Sequence, residues 1–441
     1  MNNPSTLAVA ITLATISSGA NAAGFIEDSK TTIAARNFYI NSDNRSGAAL
    51  PSKQEEWGQG FILNFTSGYT QGTVGVGLDV IGLYGIRLDS GRGTAYNGTN
   101  SAFGGTVFPS ETDGSAVNDF ANAGATAKFK ISKTEAKIGT LMPKLPVVQY
   151  NDGRLLPQTF EGAQVTSNEI DNLTLVGGKL EHAKGRNSSN SDSLSIAGSN
   201  GRSATAQRSN KFYYAGADYK LSKDLTVQYY YGNLDDFYKQ HFLGLTHSLA
   251  LPVGSLKSDL RYFNSDSDGK NASAEGRLAG YRSSGYQNNG EVDNRTWSAQ
   301  FTYSLAGHGL TAGYQRVNGT SDFPFLNQGD GATSYLITDV QIGKFQRAGE
   351  RTWLAKYTYD FSAVGVPGLT FLAAYLKGTD INAPTSDRSE WERDLTLGYV
   401  VQAGTFKDLG IQVRNATLRS DAVNQRDQDE TRIVFNYPIN L

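Results

Sequence analysis

From Ile433 to Leu441 every second residue is apolar: Ile433, Phe435, Tyr437, Ile439 and Leu441 alternate with Val434, Asn436, Pro438 and Asn440. A period of two places successive side chains on opposite faces of an extended strand, here one greasy face and one mostly polar face. The pattern recurs upstream. Trp297, Ala299, Phe301, Tyr303 and Leu305 alternate with Ser298, Gln300, Thr302 and Ser304. Trp353, Ala355, Tyr357, Tyr359 and Phe361 repeat it, as do Leu225, Val227, Tyr229 and Tyr231. Such segments number about eighteen: 30–40, 57–66, 72–88, 121–131, 134–140, 159–167, 171–180, 210–219, 224–232, 236–248, 256–264, 295–305, 308–316, 350–361, 368–377, 391–402, 408–419 and 430–441. Many are about ten residues long, enough to cross a bilayer as a tilted strand.

The connections sort by parity. Long stretches, mostly polar, follow odd-numbered segments at 89–120, 181–209, 265–294 and 317–349, whereas even-numbered segments end in brief turns such as Ala306-Gly307 and Leu221-Ser222-Lys223. The link near Asn233 to Asp235 is short where a long one is expected. Long external loops alternating with short periplasmic turns mark an outer-membrane barrel, and a soluble sandwich has no reason to sort its loops this way. The expected fold is therefore all-β: a transmembrane antiparallel barrel of about eighteen strands.

Composition supports this. The 441 residues include 49 glycines, 23 tyrosines and 21 phenylalanines but no cysteine, which suits many short strands with aromatic girdles and no disulfides. A formal charge of −2 points to no nucleic-acid partner. Met1 to Ala23 has an apolar middle from Leu7 to Ile16 and ends in the cleavage-like Ala20-Asn21-Ala22. Residues 1–23 are read as a signal peptide and 24–441 as a single barrel domain.

If the greasy face meets lipid, the other face lines a lumen. Alternation then turns Lys128, Lys130, Lys137, Lys257, Asp259, Arg261, Lys356, Arg414 and Arg432 inward, with acids expected in loops, among them Asp266, Asp429 and Glu430. Positive walls of low dielectric would favour anionic groups in the pore. The third external connection, Leu141 to Gln158, is too apolar for a solvent-exposed loop and is expected to fold inward as a constriction. Arg154 on Asp152-Gly153-Arg154 is the candidate constriction residue, since its planar fork suits bidentate capture of a carboxylate.

No catalytic or metal chemistry is expected, and no cofactor. His182, His241, His247 and His308 lie on separate segments without metal-ligand spacing, and nothing in the sequence brings a nucleophile beside them. The glycines between Gly72 and Gly82 carry no GK[ST] and no following helix.

At the residues GFIEDS (24–29), RNFY (36–39), SGYTQGTVGVGLD (67–79), RLLPQTFEGAQVTS (154–167), GVPGLTF (365–371) and YVVQAG (399–404) the chain resembles the OprD family of outer-membrane substrate-specific channels of pseudomonads. The resemblance implies a monomer-sized eighteen-stranded barrel with inward-folded loops and a ladder of arginine and lysine guiding small carboxylates. RLLPQTF…VTS is similar to the branch associated with aromatic and other cyclic carboxylates. Arg154, Arg414 and Arg432 match ladder or constriction arginines. Three positions depart from the family: Ser42 and Gln412 stand where arginine is common, and Lys356 where arginine is usual. The expected function is passive, selective uptake of small carboxylates (aromatic or cyclic acids, or amino acids), with Arg154, Lys356, Arg414, Arg432, Lys137 and Arg261 as substrate contacts. The expected surroundings are outer-membrane lipid and lipopolysaccharide, and the expected state is a monomer or weak trimer. The competing expectation is a structural or adhesin barrel with a plugged lumen.

Overall fold

A computed structural model describes residues 24–45, 53–90, 106–111, 115–197, 207–285, 288–326, 333–422 and 425–441. The leader expected over residues 1–23 lies outside them. Eighteen antiparallel strands form the wall. In chain order they are β1 Lys30–Asn44, β2 Lys53–Thr66, β3 Gly75–Ser90, β4 Asp119–Ile131, β5 Thr134–Leu141 and β6 Thr159–Ser167. Then come β7 Leu173–Lys184, β8 Phe212–Lys220, β9 Leu225–Leu234, β10 Tyr238–Ala250, β11 Ser255–Ser267 and β12 Asp293–Leu305. The last are β13 His308–Gly319, β14 Arg351–Asp360, β15 Leu369–Ile381, β16 Arg388–Val400, β17 Gly410–Ser420 and β18 Gln428–Asn440. Each strand pairs with the next, and β18 pairs with β1 from Asn440↔Thr32 to Gln428↔Asn44, which closes the barrel and leaves no open edge.

Alternation follows the expected faces. Trp353 is 67% exposed and meets lipid, while its neighbour Leu354 is 3% exposed and points inward. The turns are explained locally: Ala306 and Gly307 both have positive φ (48° and 82°), as a tight hairpin turn requires. At the external end many strands continue past the segments read from sequence. β1 runs on through Ser42-Asp43-Asn44 and β2 starts at Lys53, because above the hydrocarbon both faces turn polar while the ladder persists.

The lumen is occupied by loops. The third external loop (142–158) folds inward as expected. The seventh (320–350) does so too, contrary to its reading as a polar stretch: Phe323, Phe325, Leu326, Leu336, Ile337 and Phe345 are all buried. Buried Val107 and Phe108 from the second external loop and Leu194 and Ile196 from the fourth join the packing. The acids also depart from expectation. Asp266 lies on β11, and Asp429 and Glu430 on β18, while Glu390, Glu392 and Asp394 on β16 are buried facing inward. Glu392 and Asp394 serve there because loops filling a barrel bring backbone N–H groups that must find acceptors away from water.

Candidate functional site

The third loop is seated by shape. Leu155 and Leu156 are buried against Phe38, Ile62, Leu83 and Phe120 of the β1–β4 wall. Gly58, Gly60 and Gly85 open the space: a Cβ added to them would lie 2.8, 3.0 and 3.2 Å from Leu155 side-chain atoms. Burying two leucines contributes about 1.5–3 kcal/mol each.

Polar contacts then fix the tip. Arg36 on β1 donates to both carboxylate oxygens of Asp152 (2.6 and 3.2 Å) and to the Arg154 carbonyl (2.9 Å). The Asn151 side-chain oxygen accepts from the Gly153 N–H and from the Arg186 guanidinium, each at 2.8 Å. Gly153 is small for a reason, since a Cβ there would stand 3.1 Å from Arg186 and 3.9 Å from Arg432. Arg154 itself is 8% exposed, beside this cluster.

Arg432 on β18 stitches both inward loops to the wall. Its Nε donates to Glu430 at 2.6 Å, its Nη2 to the Gln341 carbonyl of the seventh loop at 2.8 Å, and its Nη1 lies 3.4 Å from the Gly153 carbonyl of the third. Register sets Arg414 on β17 directly opposite Arg432. Like charges paired across strands repel, and Glu430 is spent on Arg432. Among the described residues Arg414 is left half-buried, with the Gln412 amide oxygen at 2.7 Å and the longer-range fields of Asp394, Glu430 and Arg36. Gln412 thus orients Arg414.

Further round the wall, Lys356 on β14 is half-buried and feels Asp394 and Arg261 only at longer range. Arg261 on β11 is committed: it grips Asp259 at 2.7 and 2.9 Å, donates to the Tyr335 carbonyl at 2.8 Å and stacks 4.0 Å from that ring's centroid. Lys137 on β5 stands apart, 3.0 Å from Glu135, beside a cavity of about 310 Å³ lined also by Asp79, Thr126, Lys144 and Gln164. Of the six residues singled out from sequence, the fold places Arg432 within reach of the charges of both Arg154 and Arg414. Lys356 and Arg261 form a second group. Sequence reading missed Arg186, which sits in a polar loop with no strand register to place it, and gave no role to Arg36, which shares its face of β1 with the apolar Phe38 and Ile40.

The seventh loop is held by carboxylates. Glu392 accepts from the Ile342 N–H at 2.9 Å and the Gly343 N–H at 2.6 Å, and Asp394 from the Gln341 N–H at 3.3 Å. Asp322 accepts from the Ala348 N–H at 3.0 Å and Glu350 from the Arg347 N–H at 3.0 Å. At the loop's end, burial first and the neighbouring Glu390 charge second push the Glu350 carboxyl well above the ordinary carboxylate range. A raised carboxyl favours the docked loop while protonated, so that contribution is present at low pH and lost as pH climbs through the raised value. Glu350→Gln should flatten this dependence. Channel noise recorded across pH checks it: noise should rise with pH in the wild type and rise less in the variant.

Residues 23–441 match the family described as outer membrane porin, OprD family. The porin-like protein GalP of Pseudomonas putida is 36% identical over 421 residues, covering 95% of this chain and 94% of that protein. Porin D of Pseudomonas aeruginosa is 32% identical, covering 98% and 95%. Among solved structures, OccK8 (OprE) of Pseudomonas aeruginosa is similar at 61% identity and a TM-score of 0.87, covering 95% of this chain and all of that one. OpdK of the same organism, solved with vanillate, is similar at 35% identity and a TM-score of 0.81, with the same coverage. Such proteins are channels, which sets aside both an enzyme and a plugged adhesin barrel. This chain belongs to the OprD family of porins and is a substrate-specific channel for small solutes in the bacterial outer membrane.

Proposed function

We propose that the solutes are small carboxylates, aromatic or cyclic acids or amino acids, taken up passively. The observation that carries this reading is the cross-strand pair Arg414↔Arg432, in which Glu430 satisfies one guanidinium and leaves the other to the lumen. Arg154 and Arg414 form the capture point. Lys356 offers a second, more weakly held contact, and Arg261, Lys137 and Arg432 shape the potential along the path. Several spaced cations attract an anion without trapping it. The 35% identical OpdK, solved with the aromatic carboxylate vanillate, is consistent with this. The barrel works as a monomer or weak trimer.

Uptake into liposomes over a panel of amino acids, aromatic acids, uronic acids and neutral sugars tests the reading. Arg154→Ala should slow carboxylates about tenfold relative to sugars, the loss expected from one charge-assisted contact. Equal loss for both would remove Arg154 from anion capture.

A further inference from the structure

The outward face of β12–β16 carries an unusual mixture at its external end. Three of the chain's four tryptophans are there, Trp297, Trp353 and Trp391. Trp353 lies 4.7 Å from the ring of Tyr314, and Trp391 stacks on Tyr375 at 6.0 Å. Such aromatics mark the level where hydrocarbon meets the headgroups. Interleaved with them is a zigzag of cations on four adjacent strands. Arg316 on β13 is directly opposite Arg351 on β14. Lys377 on β15 stands opposite Trp353 and Trp391, and Arg393 on β16 opposite Tyr375.

These cations are poorly compensated. Among the described residues none of Arg316, Lys377 and Arg393 has a carboxylate within 4.0 Å. Lys377 reaches one hydroxyl, Ser389 at 3.4 Å, and Arg393 reaches Asn415 and Thr417 at 3.0 Å each. The Arg316 Nε has no hydrogen-bond partner. Arg351 has Asp380 only at 3.8 Å. Elsewhere on the external rim comparable cations are paired: Lys179 with Glu181 at 2.5 Å, Lys211 with Asp235 at 3.1 Å, Arg419 with Asp429 at 2.9 Å. Setting Arg316 against Arg351 costs stability unless an anion lies between them.

We propose that this face binds the phosphorylated headgroup of a glycolipid of the outer leaflet, lipopolysaccharide. Arg316, Lys377 and Arg393 take its phosphates while Trp353 and Tyr375 pack on its sugars and upper acyl chains. Four strands spaced about 4.8 Å apart offer a strip of about 15 Å, wide enough for more than one phosphate.

The test is native mass spectrometry of the delipidated full-length protein titrated with purified lipid A, with its dephosphorylated form, and with phosphatidylglycerol. Lipid A should be retained on the wild type, and the other two should be retained at least tenfold less. A combined Arg316→Gln, Lys377→Gln and Arg393→Gln variant should lose affinity on the order of 100-fold, about fivefold per cation. Its single-channel conductance, set by the lumen, should be unchanged. If the triple variant fails to insert, Lys377→Gln alone should show the fivefold loss. Equal retention of lipid A by variant and wild type, or of phosphatidylglycerol and lipid A by the wild type, would overturn the assignment.

Discussion

Replacing Arg432 with methionine should loosen both inward loops at once, giving a noisy channel of larger mean conductance in a barrel that still forms. Arg432 and Glu430 are 6% and 3% exposed, and the guanidinium holds Glu430, the Gln341 carbonyl and the Gly153 carbonyl together. Removing one partner of a buried ion pair strands the other charge and costs about 3–5 kcal/mol. That cost is comparable to the combined burial energy of the two leucines that seat the third loop, about 3–6 kcal/mol, so the tip should loosen. The strand ladder from β17 through β18 to β1 does not depend on the side chain and should survive. A double variant, Arg432→Met with Glu430→Gln, should recover much of the quiet current, because the stranded charge is gone. Planar-bilayer recordings decide it: a single variant as quiet as wild type would remove Arg432 from loop anchoring.

The wall was legible because hydrocarbon enforces a period of two wherever it touches a strand, as at Trp353, Ala355 and Tyr357. Where that pressure ends, legibility ended: Ser42, Asp43 and Asn44 alternate nothing greasy, yet Ser42 and Asp43 pair with both β2 and β18 and Asn44 with β18. The third loop showed itself through Leu155 and Leu156. The seventh has comparable apolar content in Phe323, Phe325, Leu336 and Phe345 but spreads it among serines, aspartates and glycines, so its packing inside the barrel was missed. Alternation turned Arg414 and Arg432 inward, but which of the two stays available for solute depends on Glu430. That acid was read as part of a loop, whereas it stands on β18 two residues before Arg432 and on the same face.

Arg414→Gln should shorten the residence of a carboxylate in the lumen about tenfold or more while leaving neutral solutes unaffected. A charge-assisted hydrogen bond contributes about 1.5–3 kcal/mol, and each 1.4 kcal/mol is a factor of ten. Glutamine keeps a polar group of similar reach, so neighbouring Gln412 and the β17–β18 ladder stay in place. Relief of the repulsion from Arg432 should leave the fold no less stable. Carboxylate-induced current blockades report residence directly. Blockades of unchanged duration would show that Arg414 does not touch the solute.

The central claim is that an arginine freed by cross-strand repulsion selects carboxylates. Its most direct measurement is competitive uptake of benzoate and benzamide, equal in shape and different in charge, into liposomes carrying the wild-type channel. A benzoate preference that collapses in Arg414→Gln is the predicted result, and equal uptake of the two by the wild type would contradict it.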